Sequence, residues 1–309
     1  MKNGDIPREG NASIDEKINS MTNAYAPLFS ISALNPLDNE GLVSIERYFK
    51  DIMETTRDAL PFMNPHSREV YVTKVSRRLS DFIGSERYLG SKEEVHMKRL
   101  HDYVNLMWHV IEANDQSYNG HQEQVSLGLH SKNVASLAVS LANAAADYKL
   151  GITTHDIEII RASGILHDVG KIIVPDSILT KNGKLTDQEM ARVRPHAEKG
   201  AEIILSAGFE EEAMYAGAHH IRPDGKGYPE FPELMGVNTS DIRVYILPFA
   251  DMFEAITRRK YKHKNPLSPE EAMAVAQQEA GKQLHPDLVK IAVETNCMVR
   301  TYHEINDAA

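Results

Sequence analysis

Apolar residues recur along most of this chain at intervals of three and four, the spacing of one helical face. Leu42–Leu60 carries Val43, Ile45, Tyr48, Phe49, Ile52 and Met53 in that pattern until Pro61 stops it, and Val70–Ile83 repeats it with Val72, Val75, Leu79 and Phe82. Val95–Ala113 predicts a further helix with Trp108 on its buried side. Beyond it, Val134, Leu137, Ala138 and Leu141 make a stripe that also carries His130. The run Ala162, Gly164, Ile165, Leu166 leads into His167 and Asp168, and Gly170 follows, which predicts a buried helix that unwinds at a cavity. Leu28–Leu34 reads as one short strand ended by Asn35-Pro36, and Met1–Asn23 as a polar, flexible lead. The chain has no internal repeat.

Length and composition frame this pattern. A chain of 309 residues suggests two domains, and a hydrophobic content of 42% is ample for packed cores. The expected division is a smaller N-terminal module over 1–110, mostly helical or α/β, and a larger C-terminal domain over 111–309. No apolar stretch approaches a membrane span and the N-terminus lacks a signal-peptide core, so a soluble, cytoplasmic protein is expected. The formal net charge of −10 argues against nonspecific binding to duplex nucleic acid and fits a small anionic ligand better. A single cysteine, Cys297, excludes an intrachain disulfide and argues against a thiolate metal site; a structural role in a C-terminal helix is expected.

The candidate chemistry lies in two strings, HDVGK from His167 to Lys171 and HHIRPDGKGYP from His219 to Pro229. Adjacent histidine and aspartate near a helix end can point at different ions, the imidazole taking one metal while the carboxylate bridges two. Further histidines fall at intervals that suit the inward faces of separate helices. The ordered set is His130, His167, Asp168, His196, His219, His220 and Asp251. Five imidazoles and two carboxylates can serve two octahedral divalent ions and leave positions for water and substrate; nitrogen and oxygen ligands without thiolate suit iron or manganese. Pro223–Pro229 must be a loop, because two prolines, two glycines and an Asp-Gly step cannot continue a helix.

Four blocks carry a family resemblance: GILHDVGKIIVPDSILTKNGKLTDQE (164–189), HAEKGAEII (196–204), HHIRPDGKGYPE (219–230) and ADMFEAIT (250–257). In order and approximate spacing the chain resembles, over roughly residues 108–294, the HD-GYP subgroup of the HD phosphohydrolases, whose known activity is hydrolysis of cyclic di-GMP. The resemblance implies a mainly α protein whose C-terminal domain is an all-α helical bundle around a binuclear metal centre. It makes His167 and Asp168 the signature ligands, with Asp168 bridging two metals and holding a hydroxide nucleophile. His130, His196, His219, His220 and Asp251 complete the ligand set, and iron is the favoured metal.

Lys171 is implied to reach a phosphoryl oxygen or protonate the leaving 3′ oxygen. Tyr228 would contact guanine, Gly225 and Gly227 would admit close backbone approach, and Asp224 and Lys226 belong to the same substrate-binding loop. In the family a basic pair after the last aspartate contacts phosphate; this chain is one residue shorter there, which leaves Arg259 and Lys260 as candidates.

Three departures matter. Ile221 stands where many members have glutamate, and Ser126 where three-metal members have glutamate, so two metals are expected. His121 competes with His130 as first ligand; His130 is favoured because it shares the apolar stripe of its helix. The leading expectation is a phosphodiesterase that opens cyclic di-GMP to pGpG or onward to GMP. The alternative is a receptor or scaffold that binds cyclic di-GMP, or a diguanylate cyclase domain through the GYP loop, with little catalysis. The N-terminal module would sense a ligand or mediate homodimerisation.

Overall fold

The computed structural model describes residues 63–83, a scatter of positions between 92 and 111, 127–258 apart from 180, 182 and 231, and 265–307. The chain divides into two compact units, Met1–Gly120 and His121–Ala309. In the first, helix α1 spans Pro65–Ile83. It opens ahead of the start at Val70 that the apolar pattern predicts, because Asn64 Oδ1 accepts the Ser67 N–H at 2.9 Å and Pro65 suits a first helical turn. Leu100, Tyr103, Val104, Met107 and Ile111 are buried at the spacing of the predicted Val95–Ala113 helix, and Tyr103 shares a 2.7 Å hydroxyl hydrogen bond with Ser76. The expected lead over 1–23, strand over 28–34, helix over 42–60, and Trp108 lie outside the described residues.

The second unit is helical. Its elements are α2 (Leu127–Asp147), α3 (Thr154–Leu166), a 3₁₀ turn (Val169–Ile173), α4 (Asp176–Leu179), α5 (Asp187–Val193), α6 (His196–Leu205) and α7 (Glu210–Gly217). Two 3₁₀ turns, Pro232–Met235 and Ile242–Tyr245, precede α8 (Ile246–Arg258), α9 (Pro269–Gln278), α10 (Pro286–Thr295) and α11 (Cys297–Asp307). Among the described residues the sole β pairing is an isolated bridge between Ala280 and Leu284, so the mainly α expectation holds.

Helix α2 is the axis against which α3, α8, α10 and α11 pack. Its Val134, Leu137, Ala138 and Leu141 are all buried, which is the face predicted from their spacing. Each large apolar side chain so buried contributes about 1.5–3 kcal/mol. Small residues set the approach of α3: a Cβ on Gly164 would sit 2.8 Å from Ala135 Cα. The 3₁₀ turn after α3 packs on α6 more closely still. A Cβ on Gly170 would lie 1.9 Å from the His196 carbonyl oxygen and 2.5 Å from Gly200 N, so only glycine lets this turn reach α6. Cys297 is buried at the start of α11, as expected of a structural cysteine.

Charged caps tie the bundle ends together. Thr153 and Asp156 form a reciprocal capping box at the start of α3. Arg243, gripped by Asp241 with an Nε–Oδ2 distance of 2.8 Å, also pairs with Asp156, which links that helix start to the approach to α8. Burial pushes the Asp156 pKa up, but the Thr153 hydrogen bonds and the Arg243 guanidinium outweigh it and hold the carboxyl below its ordinary value. A carboxyl so depressed stabilises the fold above its unfolded pKa of 3.8, and the contribution is lost as pH falls through the folded value. Asp156→Asn is therefore expected to cost about 1–3 kcal/mol in urea unfolding at neutral pH. The gap to the parent protein should narrow below about pH 4; a gap of constant size down to acid pH would remove the anionic role.

Candidate metal centre

Five chain segments deliver the predicted ligands to one interior point. His130 lies in the first turn of α2; His167 caps the C-terminus of α3, and Asp168 follows as the chain tightens into the 3₁₀ turn. His196 opens α6, His219 and His220 follow α7, and Asp251 lies on α8. The helix does unwind at the His-Asp pair, as expected from the apolar run and Gly170. His130, His167, Asp168, His196 and His219 are all buried, each with at most 4% exposure.

Asp168 is the hub. Its Oδ2 lies 3.6 Å from His130 Nε2 and 3.4 Å from His167 Nε2. Its Oδ1 faces the other way, 3.4 Å from His196 Nε2 and 3.7 Å from His219 Nε2. Asp251 Oδ1 joins the first side, 3.2 Å from His130 Nε2 and 3.9 Å from His167 Nε2. His220 joins the second, with its ring centroid 4.0 Å from that of His219 and 5.1 Å from that of His196. One carboxylate thus stands between two histidine groups.

The outer ring nitrogens decide what the inner ones can be. His167 Nδ1 donates to the Gly164 carbonyl and His196 Nδ1 to the Val193 carbonyl, each at 2.7 Å, and His219 Nδ1 donates to the Ala216 carbonyl. His130 Nδ1 meets Glu254 Oε2 at 2.6 Å. A carbonyl can only accept, so in the neutral His167, His196 and His219 rings each Nε2 carries a lone pair that points inward; at His130 the lowering by burial is outweighed by the Asp251 and Glu254 carboxylates, which raise its pKa. His196 Nε2 and His219 Nε2 are 3.1 Å apart, a repulsive pairing of two lone pairs unless a cation is shared. His167 Nε2 and Asp168 Oδ1 are buried without a hydrogen-bond partner. Two groups, His130–His167–Asp168 and His196–His219–His220, each bring their ligand atoms within 4.8 Å of one another. These residues fit a pair of divalent cations.

The electrostatics agree with that donor set. Burial holds His219 well below the ordinary imidazole value and His220 at about 3, with neighbouring imidazoles adding to the effect, so both rings are neutral and able to ligate. Burial would raise Asp168, yet the Lys171 ammonium and the surrounding imidazoles outweigh it and keep the carboxyl ionised. Asp251 is likewise held low against burial by the hydrogen bond and charge of His130.

Lys171 lies beyond the end of α3. It sits in the 3₁₀ turn, where three residues complete a turn, and so pairs directly with Asp168. The Pro223–Pro229 segment is a loop, as expected. Tyr228 stacks on His220 with centroids 4.4 Å apart, and its N–H donates to the His220 carbonyl at 3.1 Å. A Cβ on Gly227 would come within 2.3 Å of that same carbonyl, which is why glycine precedes the tyrosine. Gly225 turns the loop with φ +72°. Asp224 is engaged inside the loop: Arg222 donates to it at 2.9 and 2.7 Å and the Lys226 N–H at 3.1 Å, while its own N–H meets the Lys282 carbonyl at 3.2 Å. Lys226 is exposed. Ile221 is 4% exposed and belongs to the core.

Helix α8 continues past Asp251 to Arg258, which pairs with Glu254 at 3.2 Å; Arg259, Lys260, His121 and Ser126 lie outside the described residues. Sequence reading missed Glu254. Its signal was available in its position three residues after Asp251 on a helix, one turn along the same face.

An HD domain family model matches residues 110–288. The 3′3′-cGAMP-specific phosphodiesterase 2 of Vibrio cholerae is 32% identical over 170 residues, which is 54% of this chain and 31% of that protein. The cyclic di-GMP phosphodiesterase response regulator RpfG of Xanthomonas campestris is 32% identical over 183 residues, 57% of this chain and 43% of that protein. A cyclic di-GMP phosphodiesterase of Thermotoga maritima is 32% identical over 167 residues, 52% and 42% of the two chains. The chain thus spans less than half the length of these relatives. A solved structure of Bd1817, a HDG"Y"P protein from Bdellovibrio bacteriovorus, aligns over 84% of this chain and 81% of that one, with TM-score 0.45 and 16% identity.

Glu254 orients His130 through Nδ1, and such partners typically alter metal affinity ten- to a hundredfold when removed. Glu254→Gln should weaken manganese binding by roughly that factor in isothermal titration, with helical content retained in circular dichroism. Unchanged affinity would assign Glu254 to packing alone.

Proposed function

We propose, since the chain belongs to the HD-domain family and carries the HDVGK and GYP strings of its HD-GYP subgroup, that it hydrolyses cyclic di-GMP. The observation that carries this reading is the division of the Asp168 carboxylate, with one oxygen toward His130 and His167, which Asp251 also approaches, and the other toward His196 and His219. With His220, these residues would hold two divalent cations, iron or manganese by their imidazole and carboxylate character. When bound, the ions supply Lewis acidity toward a phosphoryl oxygen and toward water near neutral pH.

The chemistry required is addition of water across a phosphorus–O3′ bond. The water oxygen joins phosphorus, the bond to O3′ breaks, and O3′ leaves with a proton, so the ring opens to linear pGpG; a second cleavage yields GMP. Lys171, paired with Asp168 and 17% exposed, presents an ammonium at the edge of the site. There it can donate a hydrogen bond to a phosphoryl oxygen or a proton to O3′. Tyr228, packed on His220, forms the rim, with Lys226 exposed beyond it toward solvent. Gly225 and Gly227 give that rim its shape, and Asp224 acts by holding the loop through Arg222. Arg259 and Lys260 remain the proposed phosphate contacts after α8. Among the described residues no helix is long and apolar enough to cross a membrane.

Relatives named for cyclic di-GMP and for 3′3′-cGAMP both match this chain, so the two dinucleotides are to be assayed side by side. Protein purified without oxygen should carry about two metal ions per chain by elemental analysis and release pGpG or GMP on chromatography. Asp168→Ala should lose metal and turnover together. Full metal content with parental rates in Asp168→Ala would sink the reading, and turnover confined to 3′3′-cGAMP would reassign the substrate.

A further inference from the structure

Four buried imidazoles of the centre are braced in two different ways. His167, His196 and His219 lean on backbone carbonyls three residues back, which the local chain holds in place. His130 leans on a side chain: its Nδ1 meets Glu254 Oε2 at 2.6 Å, 124 residues along the sequence and on α8. A main-chain carbonyl cannot swing away, whereas a glutamate side chain rotates about its own bonds and steadies a ring only while its second oxygen is held. The aim of His130 therefore depends on what holds Glu254.

Arg258 holds it. From one turn further along α8 its Nη1 donates to Glu254 Oε1 at 3.2 Å, so the two carboxylate oxygens are divided between the arginine and His130. Asn133, one turn beyond His130 on α2, offers its amide to the same Oε1 at 3.5 Å. Glu254 is 2% exposed, and a carboxylate buried to that extent needs positive charge as well as hydrogen-bond donors. Arg258 brings that charge, and at 24% exposure it is itself largely withdrawn from solvent, where screening would weaken the pair. It is turned back onto its own helix, which sets it apart from Arg259 and Lys260, the proposed phosphate contacts that follow it.

We propose that Arg258 is a positioning residue for the His130 side of the centre: by holding Glu254 Oε1 it keeps Oε2 on His130 Nδ1, and so keeps His130 Nε2 directed at Asp168 and Asp251. This role rests on the binuclear reading of the centre and reaches one of its two ligand groups, because His196 and His219 take their bracing from carbonyls. The sign of the effect separates positioning from plain charge. A guanidinium near a cation site repels the cation, so deleting it by charge alone would tighten metal binding. Deleting the residue that holds a ligand's brace weakens it.

The test is isothermal titration of manganese into the metal-free full chain. Arg258→Gln should weaken one of the two bound ions by roughly tenfold or more and leave the other as in the parent. Arg258→Lys, which restores a cation four residues after Glu254 on the helix, should recover most of that loss. In a Glu254→Gln background Arg258→Gln should cause no further loss, since the guanidinium acts through that carboxylate. Unchanged or tighter manganese binding in Arg258→Gln, an equal loss at both ions, or a loss that persists in the Glu254→Gln background would each overturn the role. So would a raised KM for cyclic di-GMP with parental manganese affinity, which would make Arg258 a phosphate contact instead. A parent chain that binds no manganese would remove the binuclear reading. Proton NMR of the metal-free chain would then still decide Arg258: the downfield His130 Nδ1–H resonance, identified by its loss in His130→Ala, should shift or vanish in Arg258→Gln, and its persistence unaltered would overturn the positioning.

Discussion

Inward-pointing lone pairs must be compensated in a buried place, and the second unit is organised around that constraint. Four imidazole nitrogens are turned toward one carboxylate because their other nitrogens are spent on Gly164, Val193, Ala216 and Glu254. An interior with such a concentration of acceptors is costly unless cations balance it. The same hydrogen bonds that make the centre electrostatically demanding also fix the rings, so the proposed ligands are held in orientation by the fold itself. Three of the four use a carbonyl three residues back along the chain, which makes ring orientation a product of local backbone geometry at helix ends.

Helix ends are therefore where the chemistry sits. His167 terminates α3, His196 begins α6, and His219 follows α7. Regular helix would have carried these side chains away from one another after a single turn. The 3₁₀ turn after α3 does the opposite, returning Lys171 onto Asp168, and it can do so only because Gly170 and Gly200 let the turn press against α6. Glycine in this turn is a requirement of approach between two backbones.

The GYP loop performs a second service at its own scale. Gly227 lets the loop backbone touch the His220 carbonyl, and Tyr228 then packs on the His220 ring with the two planes inclined by 37°. Arg222, Asp224 and the Lys282 carbonyl stiffen the loop from behind. The result is an aromatic side chain that touches the proposed ligand His220 and has the Arg194 guanidinium 5.7 Å from its ring centroid.

Much of this was legible in one dimension. Histidines and aspartates at helix-sized intervals are chemically unusual in an interior, so the seven proposed ligands stood out, and the stripe through Val134 and Leu141 was enough to favour His130 over His121. Helical periodicity likewise determined the mainly α class, and Pro, Gly and Asp-Gly steps the loop at 223–229. What tertiary structure alone decided were the roles of ordinary residues. The carbonyls of Gly164, Val193 and Ala216 belong to a group that every residue carries, and nothing in the sequence marks them; Glu254 is marked only by its place one turn after Asp251. Asp224 reads in sequence as a loop carboxylate free for substrate, and only the folded chain turns it onto Arg222. Ligand identity is intrinsic to a side chain, whereas orientation, partnership and enclosure depend on which distant backbone comes within reach, and that is settled only when helices pack.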